Sequence, residues 1–506
     1  MAVEVEKKVL SLNQIVADKN ETASIEGDAI VPDVKPDIMN IIGTSGIVSV
    51  YKTEVSDGKV RIDGCVNVYV MYYGNDGENN QVRSINPMLD FSQIISIPEA
   101  KSNMNNLGEV TLENIECKIV NERKINVKAN LNFGVKLSST TNVEYVSNID
   151  ISDLQKIDDK VCVNTLIGTG ETKTSISEKI AIDSTDNLAE ILKVDTSIVN
   201  VDTKVSYNKV LIKADIILKM LYSTEDGRIN MAKATYPIMG FIDISDVGED
   251  SIINSSVEIK NFIIKQDGSQ DKTVSVDIEV GMKISVQTNQ EISIVKDMYS
   301  PSINLEFTQE KINATKNTHI YKSSMNYASK ELLDIGDEKV YDIEPKLNIQ
   351  DINMLDGAVD VSGNVVFNFL HSSNKMTGLE LKTIESPFEY RIPCDGIKRG
   401  DVVKVKYEIA NENFNILPGG EVDLRMDLVF IINSSNITKI EIINSVEEAE
   451  ENTKNAINMV VYYTKPQDTL WQIAKEFRST IPDIMKQNNL ESESIEPGTQ
   501  LFICHG

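Results

Sequence analysis

A chain of 506 residues with one tryptophan, three histidines and five cysteines has few of the side chains from which catalytic and metal centres are built. The cysteines, Cys65, Cys117, Cys162, Cys394 and Cys504, are odd in number, far apart and without a C-x-x-C pair. That excludes a disulfide framework and a zinc site and points to a reducing compartment. His319, His371 and His505 are equally scattered, and no H-E-x-x-H or related spacing occurs, so no metal or other cofactor is expected. Gly168-Thr169-Gly170-Glu171-Thr172-Lys173-Thr174 has the wrong spacing for a phosphate loop, and there is neither a G-x-S-x-G elbow nor a calcium-loop pattern. The reading is of a non-enzymatic protein. No stretch approaches 18 apolar residues, and Met1 to Lys8 carries acids with no secretory h-region, so a cytosolic chain without transmembrane segment is expected. Basic side chains are also short, 50 against 77 acids, giving a formal charge of −27. Bulk attraction to nucleic acid or an anionic membrane is excluded; simple solubility or a basic partner remains open.

What the chain does contain is repetition. Lys59 to Val70, Lys209 to Met220 and Ala358 to Phe369 align around Val60, Val210 and Val359. A second anchor follows: Ile125, Val127, Ala129 and Leu131 answer to Val274, Val276, Ile278 and Val280, then to Val422, Leu424, Met426 and Leu428. Both alternate apolar and polar residues with period two, the mark of strands with one face buried. A spacing this long is that of tandem domains, each burying its own core, and the expected fold is mainly β, with three tandem β-sandwich or barrel-like repeats. The apolar pairs Ile41-Ile42, Ile191-Leu192 and Leu332-Leu333 before each first anchor suggest a small helix there. His371 falls where Tyr72 and Tyr222 fall in the other copies, which argues against a catalytic histidine.

The last 46 residues form a different unit. Val461-Tyr462-Tyr463-Thr464 is a short strand and Lys465-Pro466-Gln467-Asp468 a turn. Asp468 is expected to cap a helix whose apolar face is Leu470, Ile473, Ala474 and Phe477. Thr480 precedes Ile481-Pro482-Asp483, so a second helix follows and ends at Asn488-Asn489. After a turn at Glu496-Pro497-Gly498-Thr499, Gln500-Leu501-Phe502-Ile503 closes a βααβ unit, α+β in class. Trp471 lies about 100° round the first helix from Leu470 and flanks the buried stripe, either as a core-edge aromatic or as an anchor for a protein partner. Met459, where the unit begins, is a weaker candidate contact. Residues 445–458 precede it, and Ser445 to Asn455 is too acidic to pack, reading as a solvated linker that lets the unit swing. The expected domains are residues 1–158, 159–304 and 305–444, the linker 445–458 and the terminal unit 459–506.

Two resemblances follow from these residues. Tyr463-Thr464-x-Pro466-x-Asp468-Thr469-Leu470-Trp471-x-Ile473-Ala474, with Asn488-Asn489-Leu490 and Ile495-x-Pro497-Gly498-x-x-Leu501, resembles a LysM domain. That family commonly binds N-acetylglucosamine-containing glycans between the loop before the first helix and the loop after the second. The resemblance places Gln467, Asp468, Thr469 and Leu470, and then Leu490 to Ser494, at that groove, with Asn489 beside it as a further candidate contact. The family commonly has glycine where this chain has Gln467, which adds a side chain at the groove lip. Val31-Pro32-Asp33-Val34-Lys35-Pro36-Asp37, with Val60, Ile62, Gly64 and Tyr72, resembles the SPOCS domain of spore-coat proteins; repeats two and three keep only the strand pattern. SPOCS-like repeats ending in one LysM domain are similar to the SipL-type clostridial spore coat morphogenetic proteins. That resemblance implies a coat adaptor at the forespore surface in the mother-cell cytoplasm, whose LysM domain binds the coat-basement ATPase, Stage IV sporulation protein A. Other coat proteins are further possible partners. The competing reading is a peptidoglycan-binding protein of spore cortex or cell wall.

Overall fold

The structure, a computed structural model, describes residues 4–75, 80–266, 272–333, 335, 338–373, 378–417, 419–449 and 459–504. His505 and most of the expected linker lie outside the described residues. The first repeat contains β1 (Val5–Ile30), β2 (Asp37–Ser56), β3 (Lys59–Asn75), β4 (Asn80–Ile85), β5 (Met88–Ser96), β6 (Asn105–Asn106), β7 (Val110–Asn121) and β8 (Lys124–Ile149). The second contains β9 (Gln155–Ala181), β10 (Leu188–Ser206), β11 (Lys209–Thr224), β12 (Ile229–Asp243), β13 (Ile252–Gln266) and β14 (Thr273–Tyr299). The third repeats that order with β15 (Leu305–Leu332), β16 (Val340–Leu355), β17 (Ala358–Ser373), β18 (Gly378–Pro393), β19 (Val402–Ile416) and β20 (Glu421–Glu448). The terminal unit is β21 (Met459–Tyr463), α1 (Leu470–Glu476), α2 (Ile481–Gln487) and β22 (Gln500–Cys504).

Each repeat is a sandwich of two antiparallel sheets. In the second they are β10-β11-β12 and β13-β14-β9; in the third, β16-β17-β18 and β15-β20-β19; the first has the same plan with additional short strands. The two anchors are the central strands of the facing sheets. Along β17, Val359, Val361, Gly363, Val365, Phe367 and Phe369 are buried while the residues that alternate with them are not, as period two requires. The hairpin entering each first anchor is a two-residue loop, Asp57-Gly58, Tyr207-Asn208 and Asp356-Gly357, with the second residue left-handed at φ +78°, +55° and +81°. Glycine and asparagine are the residues that tolerate this conformation. Among the described residues no helix precedes these anchors. Ile41-Ile42 and Ile191-Leu192 belong to β2 and β10, and each pair straddles a register shift at which one extra residue is inserted into the strand. Leu332 ends β15, and the third copy of that shift lies between Val340 and Asp342.

The first and last strands of every repeat pair along their full lengths, β1 with β8, β9 with β14 and β15 with β20. Each pair has a bulge near its middle, at Val16, Ile167 and Lys316, and another nearer one end, at Ser147, Lys296 and Asn444. On one side of the middle bulge the pair belongs to its own sandwich. On the other it leaves the sandwich and packs against the corresponding halves of the other two repeats. Tyr145, Ile294 and Ile442 occupy equivalent positions in one buried cluster at this junction, and Ile149, Met298 and Val446 in the next. The six half-strands form a shared hub, and bulges are where strands bend and twist in this way. β20 continues to Glu448 because Val446 is needed in the hub, so the expected linker loses its first four residues to strand. The Gly168–Thr174 segment lies within β9 and is paired with β14, so it forms no phosphate-binding loop.

Ion pairs cross between the repeats outside the hub. Lys35 pairs with Glu190, Lys219 with Glu412 and Lys404 with Asp18. Lys193 is buried against Asp195 at 2.8 Å and Asp342 at 2.9 Å. The Pro-Asp-x-Lys-Pro-Asp run of the first repeat is wrapped round the Arg123 guanidinium, which donates to the carbonyls of Val31, Pro32 and Lys35 and to the Asp37 carboxylate. Tyr72 donates to the Pro36 carbonyl at 3.2 Å, Tyr222 to Asp186 at 2.7 Å, and the His371 Nδ1 lies 2.8 Å from Glu338. The histidine thus does the tyrosines' work, fastening the segment that enters the neighbouring strand.

Candidate functional site: the terminal module and its seat

The terminal module is organised by its turns. β21 and β22 pair with Val461 opposite Phe502, and Leu470, Ile473, Ala474, Ile484, Leu501 and Ile503 form the core beneath them. The cap of α1 is Thr469, one residue later than the expected Asp468. The Thr469 hydroxyl accepts the Gln472 amide and the Gln472 side chain accepts the Thr469 amide, a reciprocal capping box. Asp468 instead closes the preceding turn, accepting the Lys465 amide at 2.7 Å and the Tyr462 hydroxyl at 2.8 Å. Those two donors hold its carboxyl below the usual carboxylate range. Thr480 caps α2 as expected. Asn488 ends it and ties it to the closing strand: its amide donates to the Phe502 carbonyl and accepts the Phe502 amide, both at 2.7 Å. Gln467 is left-handed at φ +78°, a conformation in which a glycine carries no penalty. Asn489 is left-handed at φ +52°, as befits a residue just past a helix end.

The residues expected at the groove divide into four groups. Gln467, Thr469 and Asn489 are exposed on the two loops, and Asp468 is half-buried beside them. Leu470 is 2 % exposed in the module core, so its side chain is withdrawn from any groove contact; it is the first apolar position of α1 and faces β22 and α2. Leu490 is half-buried against the same core. Met459, 58 % exposed, begins a row that includes Val461, Tyr463 and Phe502 on the outer face of the two-stranded sheet. Met459 was visible in the sequence and the row was not, although the alternation of β21 contains it.

Trp471 faces the rest of the chain. Its ring meets Tyr299 edge-on at 4.9 Å, and its Nε1–H donates to Asp297 Oδ2 at 2.8 Å. Lys475, one turn on, pairs with the same carboxylate and lies 5.0 Å over the Phe307 ring. Tyr299 is itself part of the module's buried cluster and donates from its hydroxyl to the Ser479 carbonyl at 2.9 Å. Burial and the nearby Asp297 charge push the Tyr299 phenol up to about 12. The seat lies at the end of the hub, where β14 leaves it just past the Lys296 bulge. The corresponding residues of the other repeats are Asn148 with Asp150, and Ser445 with Glu447, so only the second repeat presents this aromatic and acid pair. An aromatic residue where the other two copies have acids is the signal that could have found Tyr299.

Comparison with known families agrees with this anatomy. The model described as SipL, SPOCS domain, matches residues 37–120, 187–267 and 338–417, and the LysM domain model matches residues 462–503. No curated protein and no solved structure shows significant similarity. Three SPOCS sandwiches joined through a hub and followed by a LysM unit define a modular sporulation protein. The chain belongs to the SipL type, three SPOCS repeats and one C-terminal LysM domain. The matches fall between the long framing strands in each repeat, so the hub lies outside them.

Proposed function

We propose that this chain is a non-enzymatic spore coat morphogenetic adaptor that acts in the mother-cell cytoplasm at the forespore surface. In this reading its LysM domain binds the coat-basement ATPase, Stage IV sporulation protein A, and the SPOCS repeats hold that domain within the coat, with other coat proteins as further contacts. The observation that supports it best is the domain order, three SPOCS repeats and a C-terminal LysM unit. The exposed apolar row Met459, Val461, Tyr463 and Phe502 supports protein recognition, since such residues gain affinity by burial against a partner. Peptidoglycan is the second reading, favoured by the usual ligand of LysM domains and opposed by the Gln467 side chain at the groove lip. Purified full-length chain, titrated in parallel with the ATPase and with insoluble peptidoglycan, separates them. Saturable binding to the ATPase alone supports the adaptor, and sedimentation with peptidoglycan alone overturns it.

A further inference from the structure

The three repeats bring equivalent positions of their edge strands β2, β10 and β16 round one cavity of about 630 Å³. The first paired residue after the shared register shift is Gly43, Lys193 and Asp342 in turn, and two residues on come Ser45, Asp195 and Glu344. All six line the cavity. Equivalent in place, they differ in charge: the first repeat contributes none, and the second and third contribute one ammonium and three carboxylates across their junction. Lys193 Nζ lies 2.8 Å from Asp195, 2.9 Å from Asp342 and 3.6 Å from Glu344, with the Lys193 and Asp342 side chains 8 % and 5 % exposed. One positive charge answers three negative ones in a buried place.

The groups around the cluster do not restore the balance. Lys346, exposed, lies 3.5 Å from Glu344 and offsets one charge, Lys219 is taken by Glu412, and Glu113 of β7 adds a further acid to the cavity wall. Ser45 spends its hydroxyl on the Val194 carbonyl at 3.3 Å. From β3, Tyr69 stays a neutral phenol, pushed up by its burial and by the Asp195 charge, and burial pushes the Cys117 thiol up to about 11. The lysine does not give way either: burial opposes its charge, but the Asp195, Asp342 and Glu344 carboxylates outweigh burial and hold the ammonium well above its usual range. That ammonium fills the centre of the group and repels a second cation, so the excess negative charge is relieved by a proton. Asp195 is the acceptor. Burial, with the Glu344 and Asp342 charges beside it, outweighs the pull of Lys193 and pushes its carboxyl from 3.8 up to about 6, and a quarter of the side chain is exposed for a proton to reach.

We propose that this cluster is a proton-operated latch between the second and third repeats: protonation of one carboxyl tightens the junction, full ionisation loosens it, and the hub keeps the repeats joined in either state. A carboxyl whose pKa is raised in the closed junction binds its proton more tightly there than in the open one. Its contribution to closure is therefore present in full below about pH 4 and is lost as pH rises through about 6. Between pH 5 and pH 7 the opening equilibrium should rise about tenfold.

The test is hydrogen exchange of the full-length chain at pH 5 and pH 7, corrected for the intrinsic rate at each pH. Opening of β10 and β16 is expected to rise about tenfold over that range, while β1 and β8 within the first sandwich change little. Asp195→Asn keeps the shape and removes the charge, so it should be as protected at pH 7 as the natural chain is at pH 5 and lose most of the pH dependence. Asp195→Ser, which installs the residue that the first repeat has at this position, gives the same reading should the asparagine variant not fold. Equal opening of β10 and β16 at the two pH values in the natural chain overturns the latch without any variant. A pH dependence that keeps half or more of its size in the variants overturns it too. It would then belong to Glu408, whose carboxyl is pushed up by burial where it accepts the Asn200 amide at 3.2 Å, or to His371 beside β16.

Discussion

Each long strand pair lives in two environments, and the difference between its halves explains the architecture. Between Ala17 and Ile30, β1 pairs with β8 over the core of the first sandwich, where Ile125, Val127, Ala129, Leu131 and Phe133 are fully buried. Between Val5 and Ile15 the same pair packs its apolar face against Val163, Ile292, Ile312 and Ile440 of the other repeats. The strand pairing hardly changes; what changes is whose side chains answer it. Tandem domains usually meet as separate bodies through modest interfaces. Here one continuous pair of strands serves as both domain core and domain interface, with a bulge between the two roles.

That difference can be broken from either side. Phe133→Ala removes a fully buried ring that meets Phe91 edge-on at 5.5 Å, and is expected to cost about 3–5 kcal/mol. Its effect belongs to one sandwich, so hydrogen exchange should rise in the first repeat and little in the third. Ile442→Ala in the hub removes less, about 2–4 kcal/mol, yet exchange should rise near Leu12, Ile294 and Ile312 together. Equal confinement of both changes to one repeat would reduce the hub to an ordinary linker.

The seat of the LysM module sharpens the comparison, because only one of the three hub arms carries it. Trp471→Ala removes an edge-on aromatic pair and a hydrogen bond to a carboxylate, and is expected to cost about 2 kcal/mol of docking. Exchange protection should fall in α1 and at Tyr299 while the module core stays protected; loss of protection throughout the module would make Trp471 part of its fold. Trp471→Phe keeps an aromatic edge without the donor and should fall between. A further handle is pH. With its folded pKa at about 12 against an ordinary value of about 10, Tyr299 favours the seated state fully below pH 10. That contribution is lost as pH rises from about 10 to about 12. As Trp471 is the single tryptophan, its emission reports the seat, and the alkaline red shift should shrink in Tyr299→Phe.

Much of this fold was legible in the sequence, and each failure has its own physical cause. Alternation with period two revealed both anchors of all three repeats, and the LysM strands and helices stand where the turn and capping residues put them. Bulges defeat the same reasoning. An inserted residue sets two apolar side chains next to each other, as at Ile41-Ile42 and Ile191-Leu192, and a pair of that kind reads as a helix start. The hub was invisible for another reason: a strand buried against its own sheet partner's domain and one buried against a neighbour have the same pattern. Asp297 and Tyr299 were missed because their partner, Trp471, lies far along the chain, 174 residues from Asp297. Asp468 reads as a cap because aspartate suits that role as well as threonine does; the chain uses both, one for the turn and one for the helix.

The smallest effect concerns the groove lip. Gln467 holds a left-handed backbone, which costs a side-chain-bearing residue about 1–2 kcal/mol, and its side chain is exposed with no hydrogen-bond partner among the described residues to offset that cost. Glycine returns part of the gain through the greater freedom of its unfolded chain, leaving Gln467→Gly more stable by about 0.5–1 kcal/mol. Equilibrium unfolding followed by hydrogen exchange in α1 should read this as slower opening. The same change clears the groove lip, so it also weighs the two ligand readings. A protein-recognition module that relies on the outer sheet face should bind its partner unchanged. A glycan groove blocked mainly by this side chain should gain affinity for peptidoglycan, and such a gain would mean that the LysM unit has kept its sugar-binding architecture beneath one obstructing residue.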